Sequence, residues 1–425
     1  MRNFPFTSSF AKNSFTLIGG TFLAQLLPLL LSPVISRLYS PENMALWGLY
    51  MSIVPILLSI STGSYELSIM LPKKDEEAIN LFSLSILLAI GSFLLFIMVA
   101  LFFNNALAEL LNNPFISKWI VFIPISVLVL AISNSLMAWY NRKGNFKILA
   151  INKINKNWSI TSVQLLLHYI PRQASGLISG QIFGEIISAF LFAIYFFKHQ
   201  FFKFLKEHIS LAKMKSLAFD YKKFPLYTMP TACLDNISSQ ILTIVIAIWF
   251  TNGLTGSYYL AVRLLSAPMA LVGSSVSQTF FQKFTEIINM GLDNPKKFIY
   301  KIWMGLFFIA IIPLAIIFFW GEPLFVFVFG SAWENAGRMA SVMSPMILLS
   351  FISSPTSVGF IVLRKQNFNL IFGIVVFLFR PLSFYLGYMW GDFFLGLKIL
   401  VAFEVCNTLA YNLLMLRCID WRLKE

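Results

Sequence analysis

Histidine and cysteine are nearly missing from this chain, with three of each in 425 residues. Cys233, Cys406 and Cys418 lie in or beside apolar runs and form no CxxC pair. Neither a disulfide framework nor a zinc site is signalled. His168, His199 and His208 make no HExxH. No Walker A loop is present and no GxGxxG follows a strand. No metal, nucleotide or other cofactor is expected, and any driving force for transport is a gradient or a partner. Charge is scarce as well, at 12% of residues, where a soluble domain carries about 25%.

What fills the chain is apolar, at 58%. A water-soluble core does not hide that much apolar surface, so the direct reading is a membrane protein. The net charge of +14 would suggest nucleic acid in a soluble chain. Here the basic residues sit between apolar runs, so they report topology and no nucleic-acid partner is expected. Arg2 and Lys12 precede the run Ser14 to Ser36, and no A-x-A site follows. That run is expected to be a retained first transmembrane helix rather than a cleaved signal.

Runs of spanning length fall at 14–36, 45–71, 79–103, 116–141, 146–170, 174–197, 225–250, 254–282, 299–320, 336–363, 368–390 and 393–416. With both termini cytoplasmic, 23 Lys and Arg fall in cytoplasmic segments and 4 in outer ones. That asymmetry supports the count of twelve and the orientation. The longest loop is basic and divides the chain into an N-terminal six-helix lobe (1–197), a cytoplasmic linker (198–224) and a C-terminal six-helix lobe (225–425). The fold class expected is all-α integral membrane, with parallel repeats.

Polar residues recur at helical spacing inside the oil. Lys153, Asn157, Thr161, Gln164 and His168 share one face of the fifth run. That stripe covers about 22 Å at ~1.5 Å per residue, so it faces protein or water. The seventh run carries Thr228, Thr231, Asp235 and Ser239; the eighth carries Arg263 and Ser266; the second carries Ser52, Ser59, Thr62 and Glu66. Ionisable residues within spans are costly and mark candidate sites. The candidates for substrate binding are Arg263, Glu66, Lys153, Asn157, Gln164, Asp235, Arg380 and Lys398. The bland alternative for these groups is interhelical hydrogen bonding in a closed bundle. Gly176, Gly180 and Gly184 form a GxxxGxxxG series that suits close helix approach, with Glu185 beside it as a packing partner.

Six stretches resemble, in order, parts of the Wzx-type polysaccharide flippases of the multidrug/oligosaccharidyl-lipid/polysaccharide (MOP) exporter superfamily. They are SPVISRLYSPENMALWGLY, YELSIMLPKKDEEAINL, SGLISGQIFGEI, YKKFPLYTMPTACLDNISSQI, YYLAVRLLSAP and FGSAWENAGRMASVMSP. The resemblance implies two six-helix lobes around a central cavity, as in MATE-like transporters. It implies an undecaprenyl-pyrophosphate-linked glycan as substrate, flipped to the outer leaflet of the bacterial inner membrane for O-antigen or related surface polysaccharide. Membrane lipid, other polysaccharide assembly proteins and a coupling H+ or Na+ are the partners implied. Many members carry Arg just before the Tyr-Glu pair, and Ser64 stands there in this chain; another cation would then have to serve the substrate. The alternatives are an ion-coupled small-molecule antiporter and a membrane-embedded polymerase or acyltransferase. The short outer loops and the missing His/Asp motif count against the last.

Overall fold

In a computed structural model, residues 8–169, 176–197, 208–290 and 294–424 are described, and no strand occurs among them. Among the described residues there are thirteen longer helices. They are α1 (Ser8–Leu38), α2 (Pro41–Ser61), α3 (Asp75–Leu110), α4 (Ile123–Arg142), α5 (Phe146–His168), α6 (Gly176–Phe197) and α7 (Leu211–Asp220). There follow α8 (Met229–Trp249), α9 (Asn252–Met290), α10 (Pro295–Phe329), α11 (Glu334–Ser353), α12 (Gln366–Met389) and α13 (Phe393–Lys424). Their starts follow local chemistry. Asp75, Glu76 and Glu77 occupy the first turn of α3, at the positive end of its dipole. The Asn294 side chain accepts from the Lys296 and Lys297 amides to cap α10, and Pro295 needs no amide partner there.

Among the described residues, ten helical segments are long and apolar enough to cross a membrane. Each of the twelve runs expected from sequence coincides with a helix. Outside those ten lie α9 and α5, and the polar stripe of α5 lowers its hydropathy. Lipid explains what the apolar surface is for. Phe102 and Phe103 on α3, and Phe308, Ile312 and Phe319 on α10, stand more than half exposed. Such continuous apolar faces are a liability in water and the norm against acyl chains.

The chain forms two compact units. The first comprises Met1–Tyr39 and Leu46–Gln240. Its core joins Ile69, Ile79, Leu81 and Phe82 to Trp139, Tyr140 and Phe192, with Leu217 of α7. Helices α5 and α6 approach closely at the glycine series. A Cβ at Gly180 would lie 2.5 Å from Gln164 Cγ and 2.7 Å from its backbone nitrogen; one at Gly184 would lie 2.5 Å from Ile160 Cα. No side chain fits there, which is why the GxxxGxxxG spacing is present.

The second unit comprises Ser40–Ala45 and Ile241–Glu425. Phe280, Phe284, Phe360, Met415, Cys418 and Ile419 form one of its cores. Cys418 is fully buried there as an apolar packing residue.

The fourth expected span, 116–141, starts in separate short turns (Pro114–Ile116 and Ser117–Ile120) before α4, and two others are interrupted deep within the run. The second run, 45–71, is not one helix: α2 stops at Ser61, and a single turn, Tyr65–Ser68, follows. Gly63 (φ 61°) and Ser64 (φ 59°) are left-handed at the break. Hydropathy continues through this point because it does not register backbone dihedrals. The tenth run breaks after Ser353 into a 3-10 turn, Ser354–Thr356, before a final turn at Gly359–Val362. Pro355 lies in that 3-10 turn, where its missing amide stops the α ladder.

Candidate functional site

The break after α2 presents Glu66 half-buried at the edge of a membrane helix. Its carboxylate accepts a short hydrogen bond from the Thr62 hydroxyl across the left-handed turn. The segment is held from two sides. Tyr65 Oη donates to the Ala218 carbonyl of α7 at 2.8 Å. Arg142, at the end of α4, donates to the carbonyls of Pro72 (2.6 Å) and Ile69 (3.2 Å) and pairs with Asp75 at 3.0 Å. One planar guanidinium thus closes the open end of the turn, a task that needs several fixed donors at once. By sequence Arg142 is one of the basic residues, expected to be cytoplasmic, that report topology. An arginine one loop away from a run of uncapped carbonyls was the available signal.

The stripe on α5 divides. Thr161 and Gln164 are buried in the seam with α6. Gln164 Nε2 donates to the Leu177 carbonyl at 3.0 Å, and its own carbonyl accepts from Tyr39 Oη at 2.7 Å. Lys153 and Asn157, nearer the start of α5, are only half-buried. Lys153 Nζ donates to the Thr21 hydroxyl at 3.0 Å and has no carboxylate partner among the described residues. No hydrogen bond or ion pair among the described residues joins Glu66 to Lys153, Asn157 or Gln164.

Glu185 on α6 is 2% exposed. Ser126 donates to one of its oxygens at 2.8 Å and Gln181 to the other at 2.6 Å; Tyr50 Oη reaches Ser126 at 2.9 Å. Its hydrogen-bond partners are neutral groups of α4 and α6, with Tyr50 of α2 behind Ser126, and Lys156 of α5 is its electrostatic neighbour, so this carboxyl is held inside the bundle of the first unit.

On α8, Thr231, Asp235 and Ser239 lie exposed on one face, four residues apart. In the second unit Arg263 is half-buried, one turn after Tyr259, its electrostatic neighbour. Arg380 is committed: its Nε donates to Glu404 at 2.8 Å, tying α12 to α13. Lys398, earlier on α13, is exposed. Among the described residues, no group of three or more His, Cys, Asp or Glu is placed to hold a metal ion. What remains at half-buried or exposed positions within membrane helices is Lys153, Asn157, Asp235, Arg263 and Lys398, a mixed set with cations in excess.

The family model for polysaccharide biosynthesis proteins matches residues 15–338. No curated protein matches in sequence. Among solved structures, the chain is similar to an inward-facing multidrug-resistance MATE transporter of the MOP superfamily (14% identity, TM-score 0.69, covering 95% of this chain and 96% of that one). It is similar to the lipid II flippase MurJ in an inward closed conformation (16% identity, TM-score 0.68, covering 93% and 87%). It is also similar to a MOP superfamily transporter from Pyrococcus furiosus with a binding pocket of reverse polarity (13% identity, TM-score 0.64, covering 98% and 96%). At these identities the likeness is one of fold, and the fold is that of the MATE- and MurJ-like MOP transporters.

Proposed function

The chain belongs to the polysaccharide biosynthesis protein family, and from that footing we propose that it is a flippase for a lipid-linked glycan. Its substrate is an undecaprenyl-pyrophosphate-linked oligosaccharide repeat unit, moved from the cytoplasmic to the outer leaflet of the bacterial inner membrane for O-antigen or a related surface polysaccharide. A pyrophosphate bearing a sugar head does not cross hydrocarbon unaided. A polar path through the helices carries the head while the polyprenyl tail stays in lipid. The chain acts as a transporter rather than an enzyme, coupled to H+ or Na+ and working beside other polysaccharide assembly proteins. Both termini lie in the cytoplasm.

The observation that carries this reading is Lys153. It stands seven residues into α5, about 10 Å along the helix at ~1.5 Å per residue, and among the described residues its ammonium bonds to the neutral Thr21 hydroxyl and to no carboxylate. A membrane-embedded cation without a carboxylate is expensive, and an anionic phosphate head group supplies the missing charge. In the second unit, Arg263 is the cation proposed to serve the substrate phosphate, with a planar fork suited to it.

Asp235 favours a second reading. It is an exposed acid on a helix of a fold shared with multidrug transporters, and such a group suits an organic cation. Deleting the gene separates the two. A flippase leaves its lipid-linked glycan accumulating in the cytoplasmic leaflet and strips the surface glycan. An antiporter leaves the glycan intact and raises sensitivity to exported cations. Within the first reading, Arg263→Ala abolishes surface glycan and Arg263→Lys retains part of it, both at normal membrane abundance. Full export by Arg263→Ala rejects its role. Single-cysteine labelling of intact cells should find position 297 protected and position 112, an exposed residue, reactive from outside. The reverse pattern overturns the orientation.

A further inference from the structure

The break in the tenth run opens a pocket of about 170 Å³ in the second unit. Ser350, Ser353, Ser354 and Ser357 line one side, and Asn407, Thr408 and Tyr411 of α13 line the other. Every lining residue is polar and none is charged. Ser354 lies ten residues before Arg364, and Asn407 ten before Arg417. Along the continuous α13, Asn407 is about 15 Å from Arg417 at ~1.5 Å per residue, close to the middle of a ~30 Å hydrocarbon core, and Ser354 lines the same pocket. Seven polar side chains at that depth need an explanation.

Hydrogen bonding within the protein explains only part of the set. Ser353 accepts from Asn412 Nδ2 at 2.6 Å, and Ser357 donates to the Ser354 carbonyl at 2.8 Å. Tyr411 donates to Asn369 at 2.8 Å and is wedged between the rings of Phe360 and Phe372. The side chains of Ser350, Ser354, Asn407 and Thr408 make no hydrogen bond among the described residues. That sets them apart from helical serines elsewhere in the chain, such as Ser52, Ser68, Ser85 and Ser344, each of which donates to a carbonyl three or four residues back. Asn412, nine-tenths buried behind Ser353, also has an Oδ1 with no donor. Donors and acceptors left unmet within a membrane helix are costly, so a row of them facing a pocket is kept for water and for something that replaces it.

The chemistry of the lining selects the ligand. Without a charge it supplies no counter-ion to a phosphate or an organic cation. Hydroxyls and an amide that both donate and accept match the hydroxyls of a sugar, and the fixed Tyr411 adds an aromatic edge. Drug-sized ligands occupy about 300–1,000 Å³, so this smaller pocket takes one sugar ring and not a whole oligosaccharide. A break in a membrane helix at mid-depth is where transporters build such sites.

We infer that this pocket is a sugar subsite that holds one ring of the glycan head, an assignment that rests on the flippase reading above. Two probes test it on the purified full-length chain in nanodiscs: undecaprenyl pyrophosphate, and the lipid-linked glycan extracted from cells that carry this gene. The wild type should bind the glycan-bearing lipid about tenfold more tightly than the bare one, equivalent to about 1.4 kcal/mol. The near-isosteric Asn407→Leu/Thr408→Val pair should erase that preference and leave affinity for the bare lipid unchanged. Both positions are half-buried and carry no internal hydrogen bond, so folding should be spared; Ser354→Ala, at an exposed position, is the milder second variant and should reduce the preference. A preference that survives in both variants overturns the subsite. Equal binding of the two lipids by the wild type also overturns it while leaving the flippase reading standing. Binding of neither lipid defeats the flippase reading and the subsite together.

Discussion

The two broken helices are built from opposite materials. At the first break, after Ser61, the chain uses two left-handed residues, a carboxylate and an arginine that collects several carbonyls. At the second, after Ser353, it uses a proline and a ring of uncharged hydroxyls, with no arginine or acid lining it. A membrane helix that stops early must satisfy the freed backbone groups. The first break does so with charge and is thereby fixed in place. The second does so locally, through Thr356, whose hydroxyl donates to the Ser353 carbonyl and accepts from Trp303 Nε1 at 3.0 Å. It therefore leaves the hydroxyls of Ser350, Ser354 and Thr408 uncommitted. Charge at a break buys rigidity; hydroxyls leave room for a neutral polar ligand.

The largest effect should come from breaking the charged case. Arg142→Ala removes donors from the Ile69 and Pro72 carbonyls and unpairs Asp75. It should cost about 2–3 kcal/mol of stability, seen as a lowered midpoint in thermal unfolding of the detergent-solubilised protein. Arg142→Lys should recover little, because one ammonium does not span those acceptors. An unchanged midpoint for the alanine variant would mean that the turn holds without its clamp.

Glu66→Gln comes next. It keeps an acceptor for Thr62 and removes the charge. Export of surface glycan should fall several-fold at normal protein abundance. Normal export would dismiss an essential role for that charge, and loss of the protein itself would make Glu66 a folding residue.

The smallest effect sharpens the comparison. Ser64 has φ 59°, a conformation that costs an L-residue about 1–2 kcal/mol and glycine little. Ser64→Gly should stabilise the protein by about 0.5–1 kcal/mol. No equivalent gain is available at the second break, where no described residue from Ser353 to Gly359 is left-handed. A destabilised Ser64→Gly would mean that the serine side chain contributes more than its backbone strain costs.

Much of this was readable in the sequence, and the omissions have physical causes. Hydrophobic length placed all twelve helices, because a bilayer imposes a minimum run on any span. Glycine spacing placed the α5–α6 contact, because only a missing side chain permits that approach. Periodicity put Lys153, Asn157 and Gln164 on one face of α5, but a face does not say what covers it. The lower part is half-open, whereas Gln164 is sealed against α6. The Gly63–Ser64 break lay hidden inside an apolar run. The hydroxyl pocket escaped because its halves lie about fifty residues apart in sequence, and serine alone within a membrane helix signals ordinary packing. Arg380 was legible as an intramembrane charge, while its commitment to Glu404 depends on how α12 and α13 align.

The central claim is that the chain moves a lipid-linked glycan across a bilayer. It is tested most directly in proteoliposomes holding the purified chain and the native lipid-linked glycan, labelled on the sugar with a fluorophore that an external, impermeant reductant quenches. With both leaflets loaded, liposomes without protein should lose about half of their signal, the outer-leaflet share. Wild-type protein should let the signal continue toward full loss, and Arg263→Ala liposomes should stop at the half-way plateau. A wild-type signal that holds at that plateau, in liposomes where the same protein exchanges organic cations, would contradict the account and leave the antiporter reading in its place.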